Sequence, residues 1–139
     1  MSVLLNPYLH FNGGKARAAM EFYKSVFGGE LNVSTYGDFP NPSVTDDVKD
    51  QVMHAVLETP RLQLMASDSG PMGEGTVGDN VSLSLSGDDA DTLTNYFKGL
   101  SDGGNVTLPL APQQWGDTFG MVTDKFGVHW MVNISKPKV

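Results

Sequence analysis

The chain has 139 residues, the length of one domain and enough to bury a core. Hydrophobic residues make up 40% and charged residues 18%, and 9 basic against 16 acidic side chains leave a net charge of -7. Such an acidic chain, with its lysines and arginines scattered, lacks the clustered positive charge that nucleic acids and anionic membranes require. With no cysteine, disulfides, thiolate nucleophiles and cysteine metal sites are excluded. No apolar run approaches the roughly 20 residues of a membrane span. The start, Met1-Ser2-Val3-Leu4-Leu5-Asn6-Pro7, lacks a basic lead and a signal-peptide core. The expectation is a cytoplasmic protein.

In chain order, Leu5 to Phe11 reads as a strand, broken by Asn12-Gly13-Gly14. Ala16, Ala19, Met20, Tyr23 and Phe27 recur at helical spacing, which predicts an amphipathic helix over 15–27. Gly28-Gly29 stops it. Leu31 to Tyr36 alternates like a strand, and 38–50, with two prolines and several aspartates, reads as a long loop that could serve as a lid. Val52–Leu57 and Leu62–Ala66 form a hairpin around Thr59-Pro60-Arg61. Residues 67–79 are Gly-rich and aperiodic, a crossover rather than a phosphate loop, since the P-loop lysine is missing. Val81 to Leu85 alternates strictly, Val81, Leu83 and Leu85 on one face, Ser82, Ser84 and Ser86 on the other. Asp88-Asp89 signals a helix start, and Ala90, Leu93, Phe97 and Leu100 give the helix its stripe, stopped at Gly103-Gly104. Strands follow near Val106–Leu110, at 115–123 and at 128–134.

The order strand-helix-strand-strand-strand thus occurs twice. Both helices end at Gly-Gly, and Met53–Ser67 matches Phe119–Asn133 without a gap, placing Val56 on Val122, Glu58 on Asp124, Leu64 on Trp130 and Met65 on Met131. The predicted fold is α+β: two tandem βαβββ modules, about 1–68 and 80–139 with a linker about 69–79, within a single domain. Each sheet is covered by its helix on one face. The twist of the sheets makes the other face concave, so that two modules form a curved half-barrel around a central cavity, the natural place for a ligand.

Pro7 to Gly13, Met20 to Glu30, His54-Ala55, Leu64 to Asp68, and Trp115-Gly116 through Trp130 carry a resemblance over nearly the whole chain. It resembles the vicinal oxygen chelate superfamily, which includes glyoxalase I, extradiol ring-cleaving dioxygenases and bleomycin-resistance proteins. More closely it is similar to the PhnB-like branch, labelled 3-demethylubiquinone methyltransferase-like. The resemblance implies a homodimer. It also implies where metal-dependent members hold their ion: one ligand from the first strand of each module and one, typically a carboxylate, from the last. The carboxylate after the turn glycine Gly127 falls on Met131, and its repeat equivalent falls on Met65. The first-strand ligands fall near Tyr8 or His10, and near Ser82. Thioether sulfur is a poor donor for Zn, Fe(II), Mn or Mg, which take imidazole and carboxylate. No metal site and no cofactor are therefore predicted.

Among the candidate residues, alternation turns Tyr8 and His10 to the cavity if Leu9 and Phe11 face the helix, and His10 offers a polar contact or base. His54 is open to cavity or core. His129 points opposite to Trp130 and shares a face with Met131. A metal site of His10, His54 and His129 has no supporting His-x-His spacing. Asp124 caps the Asp-Lys-Phe-Gly turn, with Gly127 at positive φ. Asp68 and Asp117, at loop positions, read as solvated carboxylates. Trp115 and Phe119 at the cavity edge could stack on a planar ligand. The expected function is binding of a small, partly apolar molecule by Tyr8, His10, His54, Met65, Ser82, Ser84, Trp115, Phe119 and Met131. The alternative is a metal-dependent lyase or dioxygenase with non-standard ligands. The methyltransferase label finds no Gly-rich nucleotide-binding βα turn.

Overall fold

The computed structural model describes residues 2–136. By its internal contacts the chain divides into two compact units, Met1–Val77 and Gly78–Val139. Unit one contains β1 (Tyr8–Phe11), α1 (Ala16–Phe27), β2 (Glu30–Thr35), β3 (Val52–Glu58) and β4 (Gln63–Asp68). Unit two contains β5 (Leu83–Gly87), α2 (Ala90–Ser101), β6 (Asn105–Pro112), β7 (Thr118–Thr123) and β8 (His129–Ile134). The α+β repeat is therefore present. Each sheet has four strands, ordered β1-β4-β3-β2 and β5-β8-β7-β6, with β1/β4 and β5/β8 parallel and the other pairs antiparallel. No helix among the described residues is long and apolar enough to cross a membrane.

In unit one, α1 packs on β2, β3 and β4 through Ala16, Ala19, Met20, Tyr23 and Phe27, all predicted from spacing. These meet Ala55, Leu57, Leu64 and Ala66 of the sheet, each 2% exposed or less. Burying a side chain the size of Met20 contributes about 1.5–3 kcal/mol. In unit two, α2 buries Leu93, Phe97 and Leu100 against Val122, Trp130 and Val132. Ala90 is exposed, contrary to expectation, because it sits in the first turn beside the cap. Asp89 is that cap: its carboxylate accepts from the Thr92 amide at 3.2 Å and the Thr92 hydroxyl at 2.8 Å.

The glycines that close the helices have a steric role. A Cβ on Gly29 would lie 2.2 Å from the Glu58 carbonyl oxygen, and one on Gly104 would lie 2.5 Å from that of Thr123. Each lets the chain leaving the helix pass against the end of the third strand of its unit. This fixes the repeat more closely than the sequence does, because Glu58 now matches Thr123 rather than Asp124. The ladders agree: Leu57 pairs with Leu64, and Val122 with Trp130. The gapless match of the two hairpins is thus off by one across β3 and β7. Between the last pairs, Glu58↔Gln63 and Thr123↔His129, the second hairpin holds one extra residue. Val56 therefore corresponds to Met121, while Met65 still corresponds to Met131.

Other differences are local. The strand expected from Val81 begins at Leu83, and Val81 is 69% exposed, because pairing with β8 starts at Leu83↔Trp130. The first strand is shorter than Leu5–Phe11, and Leu5 is fully exposed. The strand expected over 115–123 begins only at Thr118, because Trp115 and Gly116 form the turn that precedes it. The Gly-rich stretch 69–77 is tied into unit one. Its Gly75 exchanges two 2.9 Å hydrogen bonds with the Asn12 side chain, and the Gly70 amide donates to the Gln51 side-chain oxygen. Loop 38–50 is closed at its stem by Tyr36 N to Gln51 O and Gly37 N to Lys49 O, and it buries Val48.

Candidate functional site

The period of two in each strand sets the two faces of the unit-one sheet. Leu9, Phe11, Ala55, Leu57, Leu64 and Ala66 turn toward α1. Tyr8, His10, His54, Val56, Met65 and Ser67 turn away from it. The parallel ladder places Tyr8 opposite Met65 and His10 opposite Ser67, and Met65 in turn lies opposite Val56. One alternate position further along β3 is His54, which pairs across with Ser34 of β2.

These neighbours form one linked cluster. The Tyr8 hydroxyl and His54 Nδ1 share a hydrogen bond of 3.0 Å. His10 Nδ1 and the Ser67 hydroxyl share one of 3.1 Å. The Tyr8 ring stacks on His10 with centroids 4.9 Å apart and lies 5.6 Å from the ring of His54. Ser67 is buried, whereas Tyr8 is 40% exposed. Each imidazole therefore has one nitrogen fixed from within. Among the described residues, neither Nε2 has a hydrogen-bond partner, so both can donate to or accept from a bound molecule. Tyr8→Phe should lower stability by about 0.5–1 kcal/mol in a urea titration, the net worth of one hydrogen bond. The imidazole signals of His54 should move in nitrogen-edited NMR spectra while those of His129 stay fixed.

The remaining candidates lie in unit two. Met131 pairs with Ser84 and Met121 on the face away from α2, and His129 shares that face. Ser84, not Ser82, is therefore the first-strand counterpart of Tyr8. Ser82 precedes β5 and takes no part in the ladder. Nδ1 of His129 lies 2.9 Å from the Thr123 hydroxyl. Trp115 is 63% exposed and meets Phe119 edge-on at 5.9 Å, next to the β6–β7 turn. Among the described residues, no three His, Asp or Glu side chains cluster to hold a metal ion.

The aspartates are structural. Asp68 is not solvated, as a loop position suggested, but 2% exposed at the end of β4. Its carboxylate accepts from the amides of Ala16 and Val52, both at 2.8 Å. α1 has no side-chain cap of its own at Lys15, so Asp68 supplies the cap from across the sheet. Asp124 caps its turn as expected and also receives the Trp130 indole N–H at 2.8 Å. Asp117 accepts from the Asn133 side chain at 3.0 Å. Sequence reading missed Tyr36. Its hydroxyl donates to the Asp68 carbonyl oxygen at 3.1 Å, and burial, then the Asp68 carboxylate and Tyr8, raise its pKa above the ordinary tyrosine value.

The family described as 3-demethylubiquinone-9 3-methyltransferase matches residues 4–133. The chain belongs to this family. Its likeness to PA1353 from Pseudomonas aeruginosa, a solved structure, is 38% identity over 98% of this chain and 100% of that one, with a TM-score of 0.83. Protein YjdN of Escherichia coli is 29% identical over 95% of each chain. A PhnB protein from Bacillus cereus, 24% identical over 96% of this chain and 100% of that one, shares the fold at a TM-score of 0.74. Structures of glyoxalase/bleomycin resistance/dioxygenase and fosfomycin-resistance proteins share it at 0.58 and 0.61. The chain thus has the fold of these glyoxalase/bleomycin resistance/dioxygenase structures, the fold that the resemblance of its sequence motifs implied.

Proposed function

We propose that the protein binds a small, partly apolar organic molecule on the sheet faces turned away from the helices, without a resident divalent metal. The supporting observation is the Tyr8–His10–His54–Ser67 cluster beside Met65. It offers two imidazole nitrogens and a phenol for orientation and a thioether for apolar contact, the usual division of labour in a ligand site. In unit two, Ser84, Met131 and Phe119 lie on the equivalent face, with Trp115 at its edge against Phe119. Met65 and Met131 hold equivalent ladder positions, where the resemblance assigns a carboxylate to metal-dependent relatives. A ligand set with thioethers in both places disfavours hard and borderline divalent ions. Neither sheet is a doubly wound parallel sheet with a switch-point crevice, so the fold lends no support to nucleotide-cofactor methyl transfer. The reading includes a cytoplasmic homodimer; association would cover apolar residues exposed at Val3, Leu4 and Leu5.

Elemental analysis of protein purified without chelator, with thermal melts in Zn, Ni, Mn and Fe(II), tests this. A resident ion at a hundredfold excess over its Kd adds about 2.7 kcal/mol, or about 5–10 °C in Tm at this chain length. The expected result is substoichiometric metal and no such shift. A stoichiometric ion would overturn the reading in favour of a metal-dependent enzyme using His10 and His54.

A further inference from the structure

The hydroxyl groups of the unit-one cluster decide where its imidazole protons sit. Ser67 is 6% exposed, and among the described residues its hydroxyl has one partner, His10 Nδ1 at 3.1 Å. If Nδ1 carried the ring proton, the buried hydroxyl proton would be left without an acceptor, which buried polar groups avoid. The hydroxyl therefore donates to Nδ1, and the proton of neutral His10 sits on Nε2. The Tyr8 hydroxyl has His54 Nδ1 as its partner at 3.0 Å. The lone pairs of a phenol oxygen are drawn into its ring, so it donates more readily than it accepts. His54 thus also carries its proton on Nε2.

Both outward nitrogens are thus donors, and they remain donors when the rings are protonated. They belong to one row of the sheet. His10 pairs with Ser67, and continuing the β3–β4 register by one residue sets His54 on the other side of Ser67. The Tyr8 ring lies against both imidazoles, at 4.9 and 5.6 Å. The carboxylates of the sheet are turned elsewhere. That of Asp68 is taken by the Ala16 and Val52 amides on the α1 side. Glu30 and Glu58 pair at the far end of the open face, about 13 Å along β3 from His54. We propose that this face takes a molecule that presents an acceptor oxygen, a carbonyl or a carboxylate, to the imidazole N–H groups, with its apolar body against Met65 and Val56. Ser67 and Tyr8 are then positioning residues that fix the two donors. This rests on the reading of the face as a small-molecule site and adds the polarity of what it takes.

Long-range proton–nitrogen spectra of the full chain labelled with nitrogen-15 histidine, taken at about pH 8, above the ordinary titration range of imidazole, read the tautomers directly. The expected result is a proton on Nε2 in both rings. Ser67→Ala should draw the two nitrogen shifts of His10 together as its tautomers exchange, and leave those of His54 in place. Acetophenone, benzoate and benzylammonium, similar in size, then separate carbonyl, carboxylate and donor-only ligands. The Nε2 signals of both rings should move saturably with acetophenone or benzoate, and the one that binds names the oxygen. Benzylammonium should leave them fixed. His10 is exposed, so His10→Leu should fold and weaken binding about fivefold, the scale of one hydrogen bond. His10→Gln, whose amide keeps an N–H donor there, should retain binding. A proton on Nδ1 in either ring, an equal response to benzylammonium, or no movement with either acceptor up to about 10 mM would overturn the proposal. The first two outcomes leave small-molecule binding standing, whereas a stoichiometric metal ion bound through Nε2 would overturn both readings.

Discussion

Asp68→Ala is expected to destabilise the protein by about 3–5 kcal/mol, a large share of the 5–15 kcal/mol that holds a typical domain together. The carboxylate is 2% exposed and each oxygen accepts one backbone amide, Ala16 N and Val52 N, at 2.8 Å. Hydrogen bonds to a charged acceptor contribute about 1.5–3 kcal/mol each, and alanine leaves both amides buried without a partner. The loss falls on two elements together, since Ala16 opens α1 and Val52 opens β3. Asp68→Asn keeps one acceptor and presents an N–H₂ to the other amide, so its cost should be smaller, about 1.5–3 kcal/mol. Asp46→Ala, on the surface, is the control and should leave the midpoint unchanged. Urea unfolding followed by circular dichroism ranks the three. A second readout is independent of stability. The Asp68 carboxylate is one of the influences that raise the Tyr36 pKa. Its removal should move that phenol down toward the ordinary tyrosine value in an ultraviolet pH titration. Wild-type stability in Asp68→Ala would show that the amides find other partners.

Asp68 also shows where sequence reading stops. Its chemistry as an acid was visible; its position was not. Nothing local marks it as a cap, because the helix it caps begins 52 positions earlier in the chain. The helices were legible because their stripes are long and regular, and the Gly-Gly pairs mark their ends. The duplicated unit was legible for the same reason. The register between its copies was not. The extra residue in the second hairpin loop leaves apolar residues aligned with apolar residues, so hydrophobic pattern alone accepts a slip of one. The close approach of Gly29 to the Glu58 carbonyl and of Gly104 to that of Thr123 removes the ambiguity, and it joins residues far apart in the chain.

The site divides along the same line. Alternation correctly put Tyr8 and His10 on one face and Trp130 opposite His129 and Met131. It did not say that Tyr8 reaches His54, or that Ser67 fixes His10, because both links cross strands far apart in sequence. Strict alternation fits a strand from Val81 as well as one from Leu83, so the sequence places the first-strand position of unit two only near Ser82, and the ladder moves it to Ser84. The corrected register sharpens one point. Tyr8–Met65–Val56 and Ser84–Met131–Met121 are the same row of the repeated sheet. Both rows have methionine at the centre, flanked by a hydroxyl on one side and an aliphatic or thioether group on the other. That is a surface suited to apolar contact with one polar anchor, and it is built twice.

Asp124→Ala is the counterpart of the first prediction in unit two, with an expected cost of about 3–5 kcal/mol. Oδ1 accepts from the amides of Phe126 and Val128 at 2.8 and 3.1 Å, and Oδ2 from the Trp130 indole at 2.8 Å. Asp124 and Trp130 are each 3% exposed, so solvent cannot replace these partners. Two separate contributions are lost: the turn that joins β7 to β8, and the orientation of the largest side chain beneath α2. A double-mutant cycle separates them. Trp130→Phe removes the indole N–H and leaves the turn intact. If the carboxylate acts through both, the cycle of Asp124→Ala with Trp130→Phe should return a coupling of about 1–3 kcal/mol. In a Trp115→Phe background the tryptophan bands of the near-ultraviolet circular dichroism come from Trp130, and they should collapse in Asp124→Ala before helicity is lost. Strict additivity of the two substitutions would confine Asp124 to turn capping. The indole would then be held by its apolar contacts with α2.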